Sequence, residues 1–355
     1  MKDRIEILKK AIHKTAESIG RQLNLMEVCG THTVAIFRSG IRSLLPEGIN
    51  LLSGPGCPVC VTPEHDIDWA VEFSTSGHGV ILTFGDMMRV PGTKASLYDA
   101  RSMGADVRVV YSPMDCLSIA KAEPEKTFVF MATGFETTSP LIGATIIEAK
   151  NQGVENLFFY SSHKLVPPAL RALVVDPEVK IHGFILPGHV STIIGSRPYE
   201  FVASEYGIPS VITGFEGVDI LEGILMLLKQ IKEERATVEI QYKKAVRPEG
   251  NPRALEVLGE VFQEVDAQWR GIGTIPQSGL EIKDNYSMFN AKVLYEVSSG
   301  RTEKRTACRC GDVLKGKILP TGCPLFAKAC TPEHPVGACM VSTEGSCAAY
   351  YKYGR

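Results

Sequence analysis

The sequence has neither a long apolar segment nor an excess of charge of one sign. Its 38 Lys and Arg residues nearly balance its 40 Asp and Glu residues, and the formal net charge is −2. No apolar run approaches the roughly 20 residues that a membrane-spanning helix needs. No run of basic residues indicates binding to nucleic acid or to an anionic membrane surface. We therefore expect no membrane-spanning segment and no nucleic-acid partner.

Two further signals of common protein classes are missing. Neither a Gly-x-Gly-x-x-Gly pattern nor a P-loop is present, so nucleotide binding has no support. The charged N-terminal segment places Ile5, Leu8 and Ile12 at helical spacing, which predicts an amphipathic helix and not a signal peptide. We therefore expect a cytoplasmic protein. In a reducing compartment, clustered cysteines favour metal or redox chemistry over structural disulfides.

Short β-branched and aromatic runs recur as far as residue 213 and predict an α/β fold. Each run is followed by a turn and a helical pattern, which is typical of βα units with a parallel sheet. The runs are continuously apolar, as in sheets that helices cover on both faces. We predict strands at 25–28, 49–52, 79–84, 107–111, 127–132, 156–160, 181–186 and 210–213.

The first four and the last four predicted strands carry similar motifs. Cys29-Gly-Thr-His-Thr33 follows the first strand of one set, and Thr133-Gly-Phe-Glu-Thr137 follows the first strand of the other. Motifs that recur about 100 residues apart indicate an internal duplication, although chance similarity of βα units is the alternative. Each set should form one lobe. We predict lobes at 21–123 and 124–240, a third region from 1–20 and 241–355, and a helix at about 253–269.

Polar residues follow several of the predicted strands. In open α/β sheets ligands bind beyond the carboxyl ends of the strands, so a cleft between the lobes would bring both sets of loops together. His163 and His189 lie in such loops, as does Glu136. Each histidine alone could be structural, but together with Glu136 they favour a polar site between the lobes.

Six of the ten cysteines lie after residue 307, at positions 308, 310, 323, 330, 339 and 347. Four thiolates can hold a [4Fe–4S] cluster or a structural zinc ion. Zinc sites usually use two close cysteine pairs, whereas here only Cys308 and Cys310 are close. Cys323-Pro324 is similar to the Cys-Pro of bacterial ferredoxins. These features favour iron–sulfur, although the spacing alone does not exclude zinc.

Cys57-Pro58-Val59-Cys60 is a C-x-x-C motif in a loop directly after a predicted strand. This spacing is typical of a dithiol that forms a reversible disulfide. The alternative is one half of a zinc site. The pattern favours a redox or metal-exchange role.

Cys29 has an imidazole three residues further on, at His32. A thiolate beside an imidazole suits nucleophilic work or metal ligation. The alternative is a buried cysteine at a strand end. Cys116 lies in a predicted helical stretch, and we assign it to the core. The neighbouring His32 favours a functional Cys29.

Together these motifs resemble the HypD family of hydrogenase maturation factors, in order and over nearly the whole chain. The resemblance rests on four segments and the cysteine-rich tail that begins at Cys308; the segments are 27–33, 54–60, 133–138 and 187–191. It implies two α/β lobes and a cluster-bearing region. It also implies a scaffold for assembling the Fe(CN)2CO part of the [NiFe]-hydrogenase centre. The implied partners are the chaperone HypC, the cyanide donor HypE and, through HypC, the hydrogenase large subunit.

The resemblance further implies roles for single residues. Cys29 would bind the iron, and Cys57 and Cys60 would form a reversible disulfide. The [4Fe–4S] ligands would be Cys308, Cys323, Cys330 and Cys347, which leaves Cys310 and Cys339 without an assigned role. In the family, the surroundings of the cluster resemble those in ferredoxin:thioredoxin reductase. His32, Glu136, His163 and His189 would orient ligands or relay protons.

Two other functions fit the same residues. One is a cluster-dependent thiol–disulfide reductase, which needs the C-x-x-C motif and the cluster but no iron at Cys29. The other is a binding module with a structural zinc tail. The resemblance favours a metallocentre-assembly scaffold with redox activity over both, and over an enzyme in the usual sense.

Overall fold

The computed structural model describes residues 2–295 and 307–354, so residues 1, 296–306 and 355 of the predicted third region lie outside the described residues. Two parallel sheets with flanking helices form the body, followed by an antiparallel hairpin and a cysteine-rich C-terminal segment. The predicted α/β class with two parallel-sheet lobes is confirmed. Within 2–295 and 307–354, none of the helices combines the length and apolarity required to span a bilayer.

The strands agree closely with the predicted runs. In chain order they are β1 (Leu23–Glu27), β2 (Ile49–Ser53), β3 (Val80–Thr83), β4 (Val107–Val109), β5 (Phe128–Ala132), β6 (Leu157–Ser161), β7 (Gly183–Leu186), β8 (Ser210–Ile212), β9 (Val238–Ile240), β10 (Phe262–Trp269) and β11 (Gly273–Ile282). β5 is buried along its whole length, as expected for a parallel strand between two helical layers.

Helices connect the strands, and further helices lie within the C-terminal segment. In chain order they are α1 (Lys2–Ile19), α2 (Gly30–Arg38), α3 (Ile41–Leu44), α4 (Pro58–Val61), α5 (Glu64–Thr75), α6 (Leu97–Ser102), α7 (Asp115–Ala122), α8 (Ser139–Asn151), α9 (Val166–Val174), α10 (Gly188–Ile194), α11 (Glu200–Ser204), α12 (Gly217–Lys232), α13 (Pro252–Val261), α14 (Ala291–Leu294), α15 (Cys310–Leu314) and α16 (Ser346–Tyr353). Short 3-10 helices lie at Gly85–Arg89, Arg197–Tyr199, Asp284–Phe289, Pro320–Gly322 and Ala338–Met340.

The strands pair in a way that their order along the chain does not predict. The first sheet has the order β2-β1-β7-β8-β9, and the second sheet has the order β4-β3-β5-β6. The expectation that each consecutive set of four strands forms its own sheet is therefore wrong. β1 pairs with β7, with Leu25 opposite Gly183, because the chain crosses to the second sheet after β2 and returns after β6. The ranges 21–123 and 124–240 each supply strands to both sheets.

Four of the five described strands of the first sheet nevertheless have the same order as the four described strands of the second sheet. If each strand is replaced by its counterpart about 100 residues away, β2-β1-β7-β8 becomes β6-β5-β3-β4, which is the second sheet read from its other edge. This correspondence is compatible with the repeat seen in the motifs. The duplication itself stays a prediction.

The N-terminal helix covers one face of the first sheet. In α1, Leu8 and Ile12 are buried in the same core as Ile224 of α12, which confirms the amphipathic pattern predicted for this segment. The apolar stripe of α1 therefore packs against α12.

The segment after α13 differs from the prediction. A helix was expected at about 253–269, but α13 ends at Val261 and the chain continues as β10. β10 pairs with β11 in an antiparallel hairpin, with Phe262 opposite Ile282 and Trp269 opposite Gly273. The aromatic residues at both ends of β10 are buried, so pairing and burial outweigh the helical propensity of the intervening polar residues.

Candidate functional site

The predicted site residues lie at the carboxyl edges of the two sheets. Cys29 follows β1, Cys57 follows β2 and His189 follows β7, and these strands belong to the first sheet. Glu136 and His163 follow β5 and β6 of the second sheet. Because parallel strands end at a common edge, the candidates form two groups, one for each sheet.

Cys29 lies where β1 ends and α2 begins. Burial raises the pKa of its thiol to about 12, although the backbone N–H groups of His32 and Thr31 act in the opposite direction. The turn at Gly56 packs directly on this position, and a Cβ atom at Gly56 would lie 2.2 Å from the Cys29 nitrogen. Cys29 is therefore a buried thiol in a closely packed turn, with helix N–H groups available to a thiolate.

Glu27 is a buried carboxyl beside Cys29 that sequence reasoning missed. One carboxylate oxygen accepts the backbone N–H of Cys29 at 3.1 Å, and the other accepts the hydroxyl of Thr33 at 2.5 Å. Burial raises the pKa of Glu27 to about 7. The side chain can therefore exchange a proton near neutral pH. The available signal was an acidic residue at the end of an otherwise mostly apolar strand.

His32 and His189 are joined by an aromatic ring. Phe215 stacks on His32 with ring centroids 4.8 Å apart and on His189 with centroids 3.9 Å apart. The Nε2 atom of His32 lies 3.0 Å from both the Thr213 hydroxyl and the Gly214 carbonyl oxygen. Burial lowers the pKa of His32 to about 4, so its ring is neutral.

One nitrogen of His32 remains available. Its Nδ1 atom is buried and has no hydrogen-bond partner among the described residues. A buried polar atom of this kind normally has a partner, so Nδ1 is available to a bound ligand. Burial also lowers the pKa of His189.

Cys57 and Cys60 form a close pair of sulfur atoms. Their Sγ atoms lie 2.6 Å apart, and the backbone N–H of Cys60 donates to the Cys57 sulfur at 3.4 Å. Both residues are buried, and burial raises the pKa of the Cys60 thiol well above its ordinary value. The geometry agrees with the dithiol predicted from the C-x-x-C motif.

The cysteine-rich segment packs against this pair. The side chain of Cys339 lies within hydrogen-bonding reach of the side chains of Cys60, Cys310 and Cys347. Cys310 in turn contacts Cys308. Sulfur side chains therefore connect the C-x-x-C pair with the cysteines of the C-terminal segment, and Cys339 lies at the centre of this arrangement.

Three of the four predicted cluster ligands, Cys308, Cys330 and Cys347, lie near one another. The charges of Cys308 and Cys347 act on the pKa of Cys330, whose thiol burial raises. The Cys330 sulfur accepts the backbone N–H of Val336 at 3.3 Å. A Cβ atom at Gly337 would lie 2.6 Å from the Cys308 sulfur, so glycine keeps this space open.

The fourth predicted ligand, Cys323, is buried directly after the 3-10 turn Pro320–Gly322. In residues 2–295 and 307–354, no group of three or more Cys, His, Asp or Glu side chains is arranged as a ready metal site. The chemistry of the donors nevertheless fits a [4Fe–4S] cluster, because thiolates that accept backbone N–H groups are its usual ligands.

Arg270, at the tip of the β10–β11 hairpin, was also missed by sequence reasoning. Its buried guanidinium donates to the carbonyl oxygen of Thr62 at 2.7 Å and to that of Pro91 at 2.5 Å. Its backbone N–H donates to Val61 at 2.9 Å. Arg270 therefore fixes the turn that follows Cys60.

Glu136 and His163 belong to a separate group at the second sheet. One Glu136 oxygen accepts the backbone N–H of Val166 at 2.9 Å, and burial raises the pKa of this carboxyl to about 7. The His163 Nδ1 atom lies 3.0 Å from the Ser161 hydroxyl, and burial lowers the His163 pKa to about 3. No hydrogen bond or ring contact in the described part of the chain joins either residue to His32.

A groove of about 900 Å³ opens beside α2. Its lining includes Thr31, Phe215 and Glu344, and the Thr31 hydroxyl donates to the Glu344 carboxylate at 2.7 Å. A Cβ atom at Gly30 would lie 2.5 Å from the Glu344 Cβ atom, so the C-terminal segment packs closely on the start of α2. The groove thus lies between the helix that begins at Cys29 and the cysteine-rich segment.

Comparison with known families and proteins gives a consistent result. The family model HypD, described as "Hydrogenase formation hypA family", matches residues 3–354. The chain is 44% identical over 356 residues to hydrogenase maturation factor HypD2 of Bradyrhizobium diazoefficiens, which covers 98% of this chain and 93% of that protein. It is 43% identical over 350 residues to hydrogenase maturation factor HypD of Escherichia coli, covering 98% and 94% of the two chains.

An archaeal protein is equally similar. A putative hydrogenase expression/formation protein of Methanocaldococcus jannaschii is 44% identical over 352 residues, which is 98% of each chain.

Proposed function

Since this chain belongs to the HypD family of hydrogenase maturation factors, we propose that it is a cytoplasmic scaffold on which the Fe(CN)2CO moiety of a [NiFe]-hydrogenase is assembled. In this proposal HypC binds as a chaperone, HypE provides the cyanide ligands, and HypC carries the product to the hydrogenase large subunit. The observation that supports it best is the position of Cys29. This thiol lies at the N-terminus of α2, beside the loop that carries Cys57 and Cys60. A groove large enough for a segment of a partner protein opens next to the same helix.

Cys29 is the proposed ligand of the incoming iron. Burial keeps its thiol protonated in the free protein, so iron binding must release a proton. Glu27 hydrogen-bonds the Cys29 backbone and has a pKa of about 7, raised by burial, so it can accept that proton. The N–H groups at the start of α2 then stabilise the thiolate.

His32 and His189 would position the ligands of the iron. Both rings are held by Phe215, and His32 is additionally fixed through Thr213 and Gly214. Because the Gly214 carbonyl oxygen can only accept, Nε2 carries the proton of the neutral His32 ring, and Nδ1 offers an acceptor. Glu136 and His163 were also expected to orient ligands or relay protons. Because both follow strands of the second sheet, they would do so at a distance from His32.

Cys57 and Cys60 are the proposed redox pair. Reducing their disulfide to two thiols takes two electrons and two protons, so an external one-electron donor protein must act twice. A [4Fe–4S] cluster bound by Cys308, Cys323, Cys330 and Cys347 would supply these electrons one at a time. Cys339 lies between Cys60 and Cys347, which suits it to connect the two ends of this path.

Replacing Cys29 with Ala in the complex with HypC tests the proposal. We expect the purified variant complex to lack the infrared bands of iron-bound cyanide and carbon monoxide, while it still binds HypC. Cys116→Ala is the matched control, because Cys116 is also buried but lies in the core of the second sheet. Bands of normal intensity in Cys29→Ala would show that this thiol is not the required ligand.

A cluster-dependent thiol–disulfide reductase is the second candidate. The contact between Cys60 and Cys339 favours it, because it links a C-x-x-C pair to the cysteine-rich segment without involving Cys29. Catalytic reduction of a protein disulfide that persists in Cys29→Ala would favour this function over the scaffold.

A further inference from the structure

A pocket of about 590 Å³ lies between the loops of the two sheets, away from Cys29. We call it the proline pocket; its walls include Leu165, Pro167, Pro168, Pro198, Pro248 and Leu258. The volume and the mostly apolar lining are those of pockets that hold small molecules. None of the thiols used in the proposed function lines it.

Glu136 lies in this pocket with unused hydrogen-bonding capacity. The residue is 2% exposed, and its Oε2 atom has no hydrogen-bond partner in the described part of the chain. The Nε2 atom of His163 is also buried and has no hydrogen-bond partner among the described residues. Phe262 lies between the pocket and His163, because it lines the pocket and the centroids of the Phe262 and His163 rings are 5.4 Å apart. Glu136 therefore offers an unpaired buried acceptor at the pocket wall, which a polar group of a ligand would satisfy.

The charges around the proline pocket favour a positively charged partner. Glu249 and Glu264 are exposed at its rim, and the charge of Glu264 acts on Glu136. Among the described residues of the lining, Arg197 is the only basic one, and it is exposed. Three carboxylates therefore face one guanidinium around an apolar interior.

We propose that the proline pocket binds a small organic cation with an apolar body and an amidinium or guanidinium head. The head would donate a hydrogen bond to the free oxygen of Glu136, and the body would lie against Phe262 and the proline rings. A planar head with several N–H donors suits carboxylate acceptors better than a compact ammonium does. This site goes beyond the proposed assembly function, because it uses neither Cys29 nor the cysteine-rich segment.

Benzamidine is a suitable probe, since it combines an apolar ring with an amidinium head. In isothermal titration calorimetry on the full chain at pH 8, we expect saturable binding with one site per chain. Benzyl alcohol has a similar body without the charge and should bind at least tenfold more weakly. Glu136→Gln should weaken benzamidine binding by at least tenfold, because a neutral amide replaces the carboxylate.

Gly259 offers a way to block the pocket without removing a contact. It lines the pocket in α13, and a Cβ atom there would meet no atom of the described residues within 4 Å. Gly259→Leu should therefore fold normally and abolish benzamidine binding by filling the space. Gly259→Ala, which adds a single methyl group, should retain binding and serves as the matched control.

Either of two results would overturn the proposal. One is the absence of saturable benzamidine binding to the wild-type chain. The other is binding that does not depend on the pocket or on the charge. If Gly259→Leu and Glu136→Gln leave benzamidine binding unchanged, the probe binds elsewhere; if benzyl alcohol binds with the same affinity, the probe binds by its ring alone. Neither result concerns the iron at Cys29, so failure here is distinct from failure of the assembly function.

Discussion

The guanidinium of Arg270 donates a hydrogen bond to the carbonyl oxygen of Thr62 across 2.7 Å. This contact joins the tip of the β10–β11 hairpin to the turn that follows the C-x-x-C pair. The neighbouring Gly271 packs on Gly311 at the start of α15, where a Cβ atom at Gly311 would lie 2.0 Å from the Gly271 oxygen. One short tip therefore contacts both the turn that follows the C-x-x-C pair and the cysteine-rich segment.

Arg270→Ala should loosen the turn that carries Cys60. The change leaves the carbonyl oxygens of Thr62 and Pro91 without their buried donor, and we expect the free energy of unfolding to fall by about 3 kcal/mol. We also expect the alkylation rate of Cys60 to rise by about tenfold, because local opening becomes easier. Urea unfolding and mass spectrometry of timed alkylation measure the two effects.

Arg270→Lys separates charge from geometry. Lysine keeps the positive charge but cannot reproduce the two guanidinium hydrogen bonds, so most of the loss should remain. Arg247→Ala, at an exposed position, is the control and should change neither quantity. Full stability in Arg270→Lys would show that the charge alone matters.

Cys339→Ser should interrupt the path between the cysteine-rich segment and Cys60. Cys339 contacts Cys60, Cys310 and Cys347, whereas it is not among the predicted cluster ligands. We therefore expect normal iron and sulfide content. With an external one-electron donor protein as the reductant, we expect at least about tenfold slower reduction of an oxidised Cys57–Cys60 pair, since a hydroxyl cannot exchange with a disulfide. Mass spectrometry after quenching with an alkylating agent measures the disulfide over time.

Cys116→Ser is the control for this experiment, because Cys116 lies in the core of the second sheet. It should leave the rate unchanged. If the Cys57–Cys60 disulfide never forms in the oxidised wild-type protein, the redox role of this pair is wrong. If it forms and Cys339→Ser reduces it at the normal rate, Cys339 does not take part.

The sequence predicts the strands well because each strand carries its own local signal. All eight predicted runs overlap β1 to β8, since a buried parallel strand needs a continuous apolar stretch between turns. Pairing has no such local signal. β2 and β3 look like successive βα units, yet they belong to different sheets, and consecutive strands are neighbours only about two-thirds of the time.

This pairing also explains which of the predicted site residues lie at a common sheet edge and which do not. Cys29, Cys57 and His189 follow strands of the first sheet and therefore share its edge. Glu136 and His163 follow strands of the second sheet, which separates them from His32. Both are buried polar groups, and only the sheet order shows which of the predicted site residues lie at the same edge.

The residues that the sequence did not reveal act through long-range contacts. Arg270 is an ordinary arginine after a polar run, and its role depends on Thr62, which is far away in the chain. Glu27 precedes Cys29 by two residues, but its altered pKa results from burial by the whole fold. Neither property can be inferred from local pattern.

Glu136→Gln should change how stability depends on pH. Burial raises the pKa of Glu136 from 4.5 to about 7 in the folded protein. The folded state therefore keeps a proton that the unfolded chain releases, so this stabilisation is complete below pH 4.5 and is lost as the pH rises through 7. The neutral variant lacks this loss. Relative to the wild type, its free energy of unfolding should gain about 3 kcal/mol between pH 4 and pH 8.

Urea unfolding of both proteins across this pH range measures the difference. Glu256→Gln is the matched control, since Glu256 is exposed on α13, and it should follow the wild type throughout. A constant difference between Glu136→Gln and the wild type at all pH values would mean that Glu136 is ionised in the same way in both states.

Gly56→Ala should disturb the turn that holds Cys29. The added Cβ atom would lie 2.2 Å from the Cys29 nitrogen and 2.4 Å from the Val28 carbonyl carbon, and backbone atoms cannot give way as a flexible side chain can. We expect the free energy of unfolding to fall by about 2 to 3 kcal/mol, as for overpacked sites. The infrared bands of iron-bound cyanide and carbon monoxide should weaken in the HypC complex because Cys29 moves. Gly259→Ala adds the same methyl group where no described atom is near, so it should alter neither stability nor bands. Equal behaviour of the two variants would show that the contact between Gly56 and Cys29 does not position the thiol.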